Sequence, residues 1–290
     1  MQVIQFENIE WKRGLQHRGG TFHYRHMFDG TPDTPGNFQF NIGRIEGDFT
    51  SPRHRHNFEQ FRFQIEGVAD FARNGKMGAG TFGYFPEGAS YGPQSSPGGT
   101  ALTAVLQFGG ASGSGYLSRK QVGEGQKELE KFGKFEAGIF KRNDDVEGRR
   151  NTDGYQAIWE HYRGRQMEYP KPRVRDPVMI DVDHYEWAPV GKGVSERPMG
   201  VFSERRAEAN LIRIEAGATW PGKGRSIYLV IEGAGSVGGE TYTTLTGVNA
   251  AEGETPTFKA TAETVVLHLG LPNLAGLEDR LRATVATAAE

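Results

Sequence analysis

The chain has 290 residues, a formal net charge of -2, 36% apolar and 24% charged side chains, and no cysteine. That length holds one large or two ordinary domains, and the missing cysteine excludes disulfides, thiolate metal sites and cysteine nucleophiles. The near-neutral charge offers no electrostatic handle for nucleic acid or an anionic membrane. The 41 glycines and 14 prolines, spread along the chain, predict many tight turns between short strands.

The N-terminus, Met1-Gln2-Val3-Ile4-Gln5-Phe6, has no basic region and no long apolar run. Neither a signal peptide nor a membrane-spanning helix is expected, and the cytoplasm is the expected location. His17, His23 and His26 follow, polar histidines near the mouth of any barrel built next. Residues 38–46, 60–66, 68–73, 80–85 and 101–108 read as short strands, with Asn74-Gly75 as a hairpin signal. Among them lies Ser51-Pro52-Arg53-His54-Arg55-His56-Asn57-Phe58-Glu59-Gln60. Residues two apart on an extended strand share a face. His54 and His56 therefore point two imidazoles into one cavity, a common way of holding a first-row metal. The same alternation places Gln60, Arg62 and Gln64 on the face of His56. It turns Glu59 away with Phe61 and Phe63, unless a bulge shifts the register.

The middle of the chain is charged and mixed, with short helices expected at 126–132 and 153–163, the second placing Ile158, Trp159 and Tyr162 on one side. Pro170, Pro172 and Pro177 mark an extended connector. Strands return at 209–215, 226–232, 240–246 and 264–269. A C-terminal helix is expected over 274–288, with Leu274, Leu277, Leu281 and Val285 as its docking stripe. The two halves echo each other. Asn41-Ile42-Gly43-Arg44-Ile45-Glu46 matches Asn210-Leu211-Ile212-Arg213-Ile214-Glu215, and Gln64-Ile65-Glu66-Gly67 matches Val230-Ile231-Glu232-Gly233.

Two spacings carry a family resemblance. The first is His54-Arg55-His56, three residues, Gln60, six residues, Gly67; the second is Gly80, five residues, Pro86-Glu87-Gly88, two residues, Tyr91. They resemble the two motifs of the cupin superfamily. Gln60 stands where the family pattern has glutamate, Tyr91 where it has histidine, and Ser95 where it has asparagine. Gly47 lies one residue further upstream than the pattern asks.

The resemblance implies an all-β fold, a bicupin of two jelly-roll β-barrel domains in tandem with short connecting helices and a C-terminal helix. The expected divisions are 1–115, a linker at 116–177, and a degenerate second domain at 178–290. It implies a divalent metal ion, Fe(II), Mn(II), Ni(II) or Zn(II), on His54, His56, Gln60 and Tyr91. The expected function is a metal-dependent, dioxygenase-like enzyme acting on a small oxygenated or aromatic compound. Arg62 and Gln64 would bind that substrate, and Arg62 would neutralise developing negative charge. Tyr91 would complete the metal shell or donate a hydrogen bond. In an isomerase or lyase, Tyr91 or Glu59 would move the proton. A non-catalytic small-molecule-binding cupin is the alternative. Glu87 is expected to be a solvated turn residue, and a homodimer is compatible with the fold. In the second half, Trp220, Gly222 and Ser226, or Lys223 and Arg225, stand where the site residues would be, so no duplicate site is expected.

Overall fold

A computed structural model of the chain describes residues 1–14, 19–113 and 117–277. They divide into two compact units. One contains Met1–Glu10, Arg25–Phe28 and Ile180–Asn273; the other contains Trp11–Tyr24, Asp29–Met179 and the described residues from Leu274 on. The expected C-terminal helix lies outside the described residues from 278 on.

The larger sheet around the histidine pair has seven strands. Their order is Val178–Asp181, Thr81–Phe85, Glu59–Glu66, Ala101–Phe108, Phe38–Ile45, Phe22–Asp29, Lys12–Arg13. A second sheet runs Thr50–Ser51, Gln94–Ser95, Ala69–Asp70, Lys76–Met77. Strand alternation separates two kinds of side chain. Phe40, Ile42, Phe61, Phe63, Ala104, Leu106 and Phe108 are buried on one face. Gln39, Asn41, Gln60, Arg62, Gln64, Thr103 and Gln107 take the other and line a cavity. The aromatic residues Phe61, Phe63, Phe82 and Tyr84 are thus wall packing, and the cavity does not use them.

Helix α1 (Arg119–Leu129) opens on a reciprocal capping box between Ser118 and Gln121. That box starts the helix earlier than expected. Helix α2 (Gly154–Arg163) is capped by the Asp153 carboxylate on the Tyr155 and Gln156 amides and stops at Gly164 in the left-handed region. Val122, Leu129, Tyr155, Ile158 and Trp159 join Phe140 in one apolar cluster. Tyr162, expected beside Ile158 and Trp159, is instead exposed. The three-stranded sheet of Gly133–Glu136, Ile139–Arg142 and Asn151–Asp153 was not expected from the sequence.

The other unit repeats the plan. Its larger sheet runs Gln2–Ile4, Gly247–Ala250, Ser226–Glu232, Thr264–Gly270, Ala207–Ile214, Val194–Phe202, Ala188–Gly191. The ladders align the two barrels residue by residue. Val105 faces Asn41 on one side and Arg62 on the other; His268 faces Asn210 and Tyr228 in the same way. The register irregularity that skips Ile65 recurs at Ile231. Gly67 and Gly233, just beyond, both have positive φ, and a Cβ there would lie 2.3 Å from Thr100 O and 2.4 Å from Glu263 O. This alignment sets Ser226 opposite Gln60, Tyr228 opposite Arg62, Val230 opposite Gln64 and Val266 opposite Thr103. The polar lining of the first barrel becomes an apolar core in the second, where Ile212, Tyr228, Val230, Phe258 and Val266 pack together.

His268 is the exception inside that core, at 1% exposure. Its Nδ1 accepts from the Asn210 amide at 3.2 Å, and its Nε2 donates to Ser226 Oγ at 3.1 Å. Burial pushes its imidazole down to about 4, against the opposing pull of Glu208. Because the unfolded chain takes up this proton first, stability falls as pH drops from the usual histidine range towards 4. The contribution is about 3 kcal/mol at about 1.4 kcal/mol per pH unit. Denaturant unfolding between pH 7 and pH 4 should show this loss, and His268→Gln should flatten that part of the profile.

Candidate functional site

The first motif and the loop of the second motif are joined by main-chain hydrogen bonds. His54 N donates to Tyr91 O at 3.1 Å, Tyr91 N to His54 O at 2.9 Å, and Gly88 N to His56 O at 2.7 Å. Gly88 has φ of 78°, and a Cβ there would meet Pro170 O at 2.2 Å. Arg53 points the other way and braces the loop, donating to Ser90 O, Gly92 O and Asn74 Oδ1. The result sets His54, His56 and Tyr91 as three neighbouring rings, with centroids 4.8 Å apart for the histidines and 4.6 Å for His54 and Tyr91.

His54 Nδ1 lies 2.6 Å from Pro52 O, which assigns the proton to Nδ1 and turns the Nε2 lone pair inward, 3.2 Å from the Tyr91 hydroxyl. Tyr91 OH donates there. It accepts from Gln60 Nε2 at 3.2 Å and from Arg62 Nη2 at 3.1 Å. Arg62 also donates Nε and Nη2 to Gln60 Oε1, at 2.9 and 2.7 Å, and Nη1 to Gln94 Oε1 at 3.1 Å. Its guanidinium lies 4.5 Å from the Phe85 ring centroid. The structure therefore brings His54, His56, Gln60, Arg62 and Tyr91 together. The bulge lies past Gln64, so the alternation from Glu59 to Gln64 is unbroken.

Gln64 also reaches the cavity, but its amide belongs to the wall: it donates to Glu66 O and Leu102 O and accepts from Thr103 Oγ1. His23 and His26 are not on the cavity wall, and His17 lies outside the described residues.

The cavity measures about 180 Å³. One side is apolar, with Phe22, Phe49, Phe58, Phe71 and Met77. The other carries carboxamides, the two imidazoles, Arg62 and Arg119; no aspartate or glutamate lines it among the described residues. Gln39, only 4% exposed, turns to this cavity with an amide nitrogen that finds no hydrogen-bond partner. Gln39, Asn41, Gln94, Gln107 and Arg119 belong to neither motif; strand pairing and the start of α1 bring them to the histidines, and no local spacing in the sequence marks that. A second depression, of about 270 Å³, borders Lys192, Trp220, Lys223 and His268 in the other barrel.

A divalent cation, which the resemblance implies, fits this donor set at the histidines and fails beyond them. Gln60 presents its N–H2 towards Tyr91, and its oxygen is held by two N–H groups of a permanent cation. The Tyr91 oxygen accepts from the same guanidinium. No carboxylate stands in this set to balance a dication.

Glu59 takes no place in the cavity. It is 1% exposed on the opposite face of its strand, with Glu87 at 0%. Glu87 is therefore not the solvated turn residue expected. Its carboxylate accepts from Ser112 N at 3.0 Å, Ser112 Oγ at 2.6 Å and Arg173 Nη1 at 2.9 Å, while Glu59 Oε1 lies 3.4 Å from the same Nη1. Burial first, and then the charge of Glu59, push the Tyr84 phenol up, so it stays protonated beside them. Arg173, from the proline-rich connector, is the cation shared by two buried carboxylates. Arg173→Ala should cost about 3 kcal/mol or more in chemical unfolding. Arg175→Ala, at a side chain 91% exposed, should stay within about 0.5 kcal/mol.

Searches with protein-family models and among curated proteins return no match. Solved structures do match in fold. A candidate dioxygenase from Nostoc punctiforme superposes with a TM-score of 0.63 at 11% identity, over 93% of this chain and 82% of that one. A variant of Bacillus subtilis oxalate decarboxylase gives 0.54 at 13%, over 93% and 77%. A Geobacillus kaustophilus protein gives 0.50 at 12%, over 93% and 95%. With the ladder-by-ladder repeat of two jelly-roll barrels, these likenesses show that the chain has the bicupin fold.

Proposed function

We propose that the first barrel binds a small organic anion, with a carboxylate or similar oxyanion at its polar end and an apolar or aromatic body. The observation that carries this reading is the cavity wall: two guanidinium groups, two imidazoles and several carboxamides, with no carboxylate among the described residues. An anion loses its hydration shell on entry, and only charged or N–H donors replace it. Arg62 is fixed in place by Gln60, Gln94 and Tyr91 before any ligand arrives, so little side-chain entropy is lost on binding. Gln39 adds a buried donor. A cavity of similar volume holds a benzene ring, which sets the occupant at about the size of a single small ring. Phe22, Phe49 and Phe71 supply the matching apolar surface.

The second reading is a metal-dependent, dioxygenase-like enzyme at the same site. The inward Nε2 of His54, fixed by Pro52 O, favours it. So does the fold shared with a candidate dioxygenase and an oxalate decarboxylase. It requires Gln60 and Tyr91 to release Arg62.

Calorimetry on the full chain distinguishes the two. Benzoate or malonate should bind without added metal, benzylammonium should not, and Arg62→Gln should weaken the carboxylate at least about tenfold, the loss of about 1.4 kcal/mol. Oxygen uptake with any of these acids that depends on added Fe(II) or Mn(II) and on His54 would instead support the enzyme reading.

A further inference from the structure

We infer that Arg62 has taken over the role of a metal ion in this barrel: the site carries a built-in cation in place of a bound one. The inference deepens the anion reading, on which it rests for the purpose of the charge, while its exclusion of metal is measured independently of any ligand.

The argument starts from the strand. Gln60 and Arg62 are two residues apart, so they share the cavity face. The guanidinium is planar, permanently charged and forked. Two of its N–H groups converge on Gln60 Oε1 at 2.7 and 2.9 Å, and a third contact reaches Tyr91 OH at 3.1 Å. These are two of the four side chains that the motif spacing offers to a metal. A third, His54 Nε2, receives the Tyr91 proton. The cation therefore sits within hydrogen-bond distance of two oxygens that an ion would need, and it orients the amide so that Gln60 offers N–H instead of a lone pair towards Tyr91.

The residue types agree with this. A carboxylate at position 60 would form a bidentate ion pair with Arg62 and cancel its charge. A neutral amide holds the guanidinium by the same two hydrogen bonds without doing so. A histidine at position 91 would have one ring nitrogen to offer; a tyrosine hydroxyl accepts from Arg62 and Gln60 and donates to His54 at once. The other barrel supplies a contrast. At the position equivalent to Arg62 it has Tyr228, and at the position equivalent to Gln60 it has Ser226, inside an apolar core. The exchange of cation for ion belongs to the barrel whose strand carries Arg62 beside Gln60.

The test is metal retention by the full chain after incubation with Mn(II), Ni(II) or Zn(II) and desalting, read by mass spectrometry together with the melting temperature. The wild type should keep only traces, with an unmoved melting temperature. Gln60→Glu alone should keep no more, because the new carboxylate pairs with Arg62. Gln60→Glu combined with Arg62→Leu should bind at least about tenfold more tightly than the wild type, and His54→Ala added to that pair should abolish the gain. Near-stoichiometric metal on the wild type that disappears in His54→Ala overturns the inference. So does a folded double variant, judged by circular dichroism, that binds no better than the wild type. If the double variant does not fold, the wild-type and His54→Ala measurements decide alone. Benzoate binding by the wild type that is lost in Arg62→Leu, together with only trace metal on the wild type, supports both readings; absent benzoate binding with absent metal retention removes the anion reading alone.

Discussion

The contact on which the site depends is the pair of hydrogen bonds from the Arg62 guanidinium to the Gln60 amide oxygen. It fixes the direction of the amide, and through Gln60 Nε2 it fixes the Tyr91 hydroxyl. Tyr91 in turn points its proton at His54, whose own proton is held by Pro52 O. Each group in the chain settles the donor or acceptor role of the next. A buried polar network of this kind is stabilising only when its members are satisfied together. That condition explains why the second motif must be zipped to the first through the His54–Tyr91 and Gly88–His56 main-chain bonds.

The two faces of the strand Glu59–Glu66 do different electrostatic work. Inward, Arg62 brings positive charge to a wall without carboxylates among the described residues. Outward, Glu59 and Glu87 are buried with Arg173 between them. The barrel wall, with Phe61 and Phe63 between the charged positions, keeps the two apart. A one-residue slip of register would have exchanged the faces, turning Glu59 inward and Arg62 outward, and the cavity would carry a carboxylate in place of the guanidinium. The bulge at Ile65, repeated at Ile231, lies beyond Gln64 and so leaves that alternation intact.

Much of this was legible in the sequence. Strand alternation put Gln60, Arg62 and Gln64 on one face and Glu59 on the other. His54 and His56 reach the same cavity from the segment before that strand, where His54 makes an isolated bridge to Tyr91 and the extended strand expected for the pair is not formed. The echo between the halves predicted the matched ladders, because Gly67 and Gly233 answer the same steric demand. Other features were not legible. Glu87 sits in a Pro-Glu-Gly turn, which by itself reads as solvated; only a distant Arg173 and Ser112 bury it. The capping box at Ser118 moved α1 upstream and brought Arg119 to the cavity. The direction of the Gln60 amide follows from a contact between neighbours on one face, and residue type alone reads it as a weak oxygen ligand. The motif spacing therefore suggested an ion where the side chains had already placed a cation.

The most direct test is a crystal structure of the full chain grown with benzoate and Mn(II), with data collected at the manganese absorption edge. The account predicts a carboxylate against Arg62 and Gln39 and no anomalous peak between His54 and His56. A manganese peak ligated by both histidines, with Gln60 turned to present its oxygen and Arg62 displaced, would contradict it.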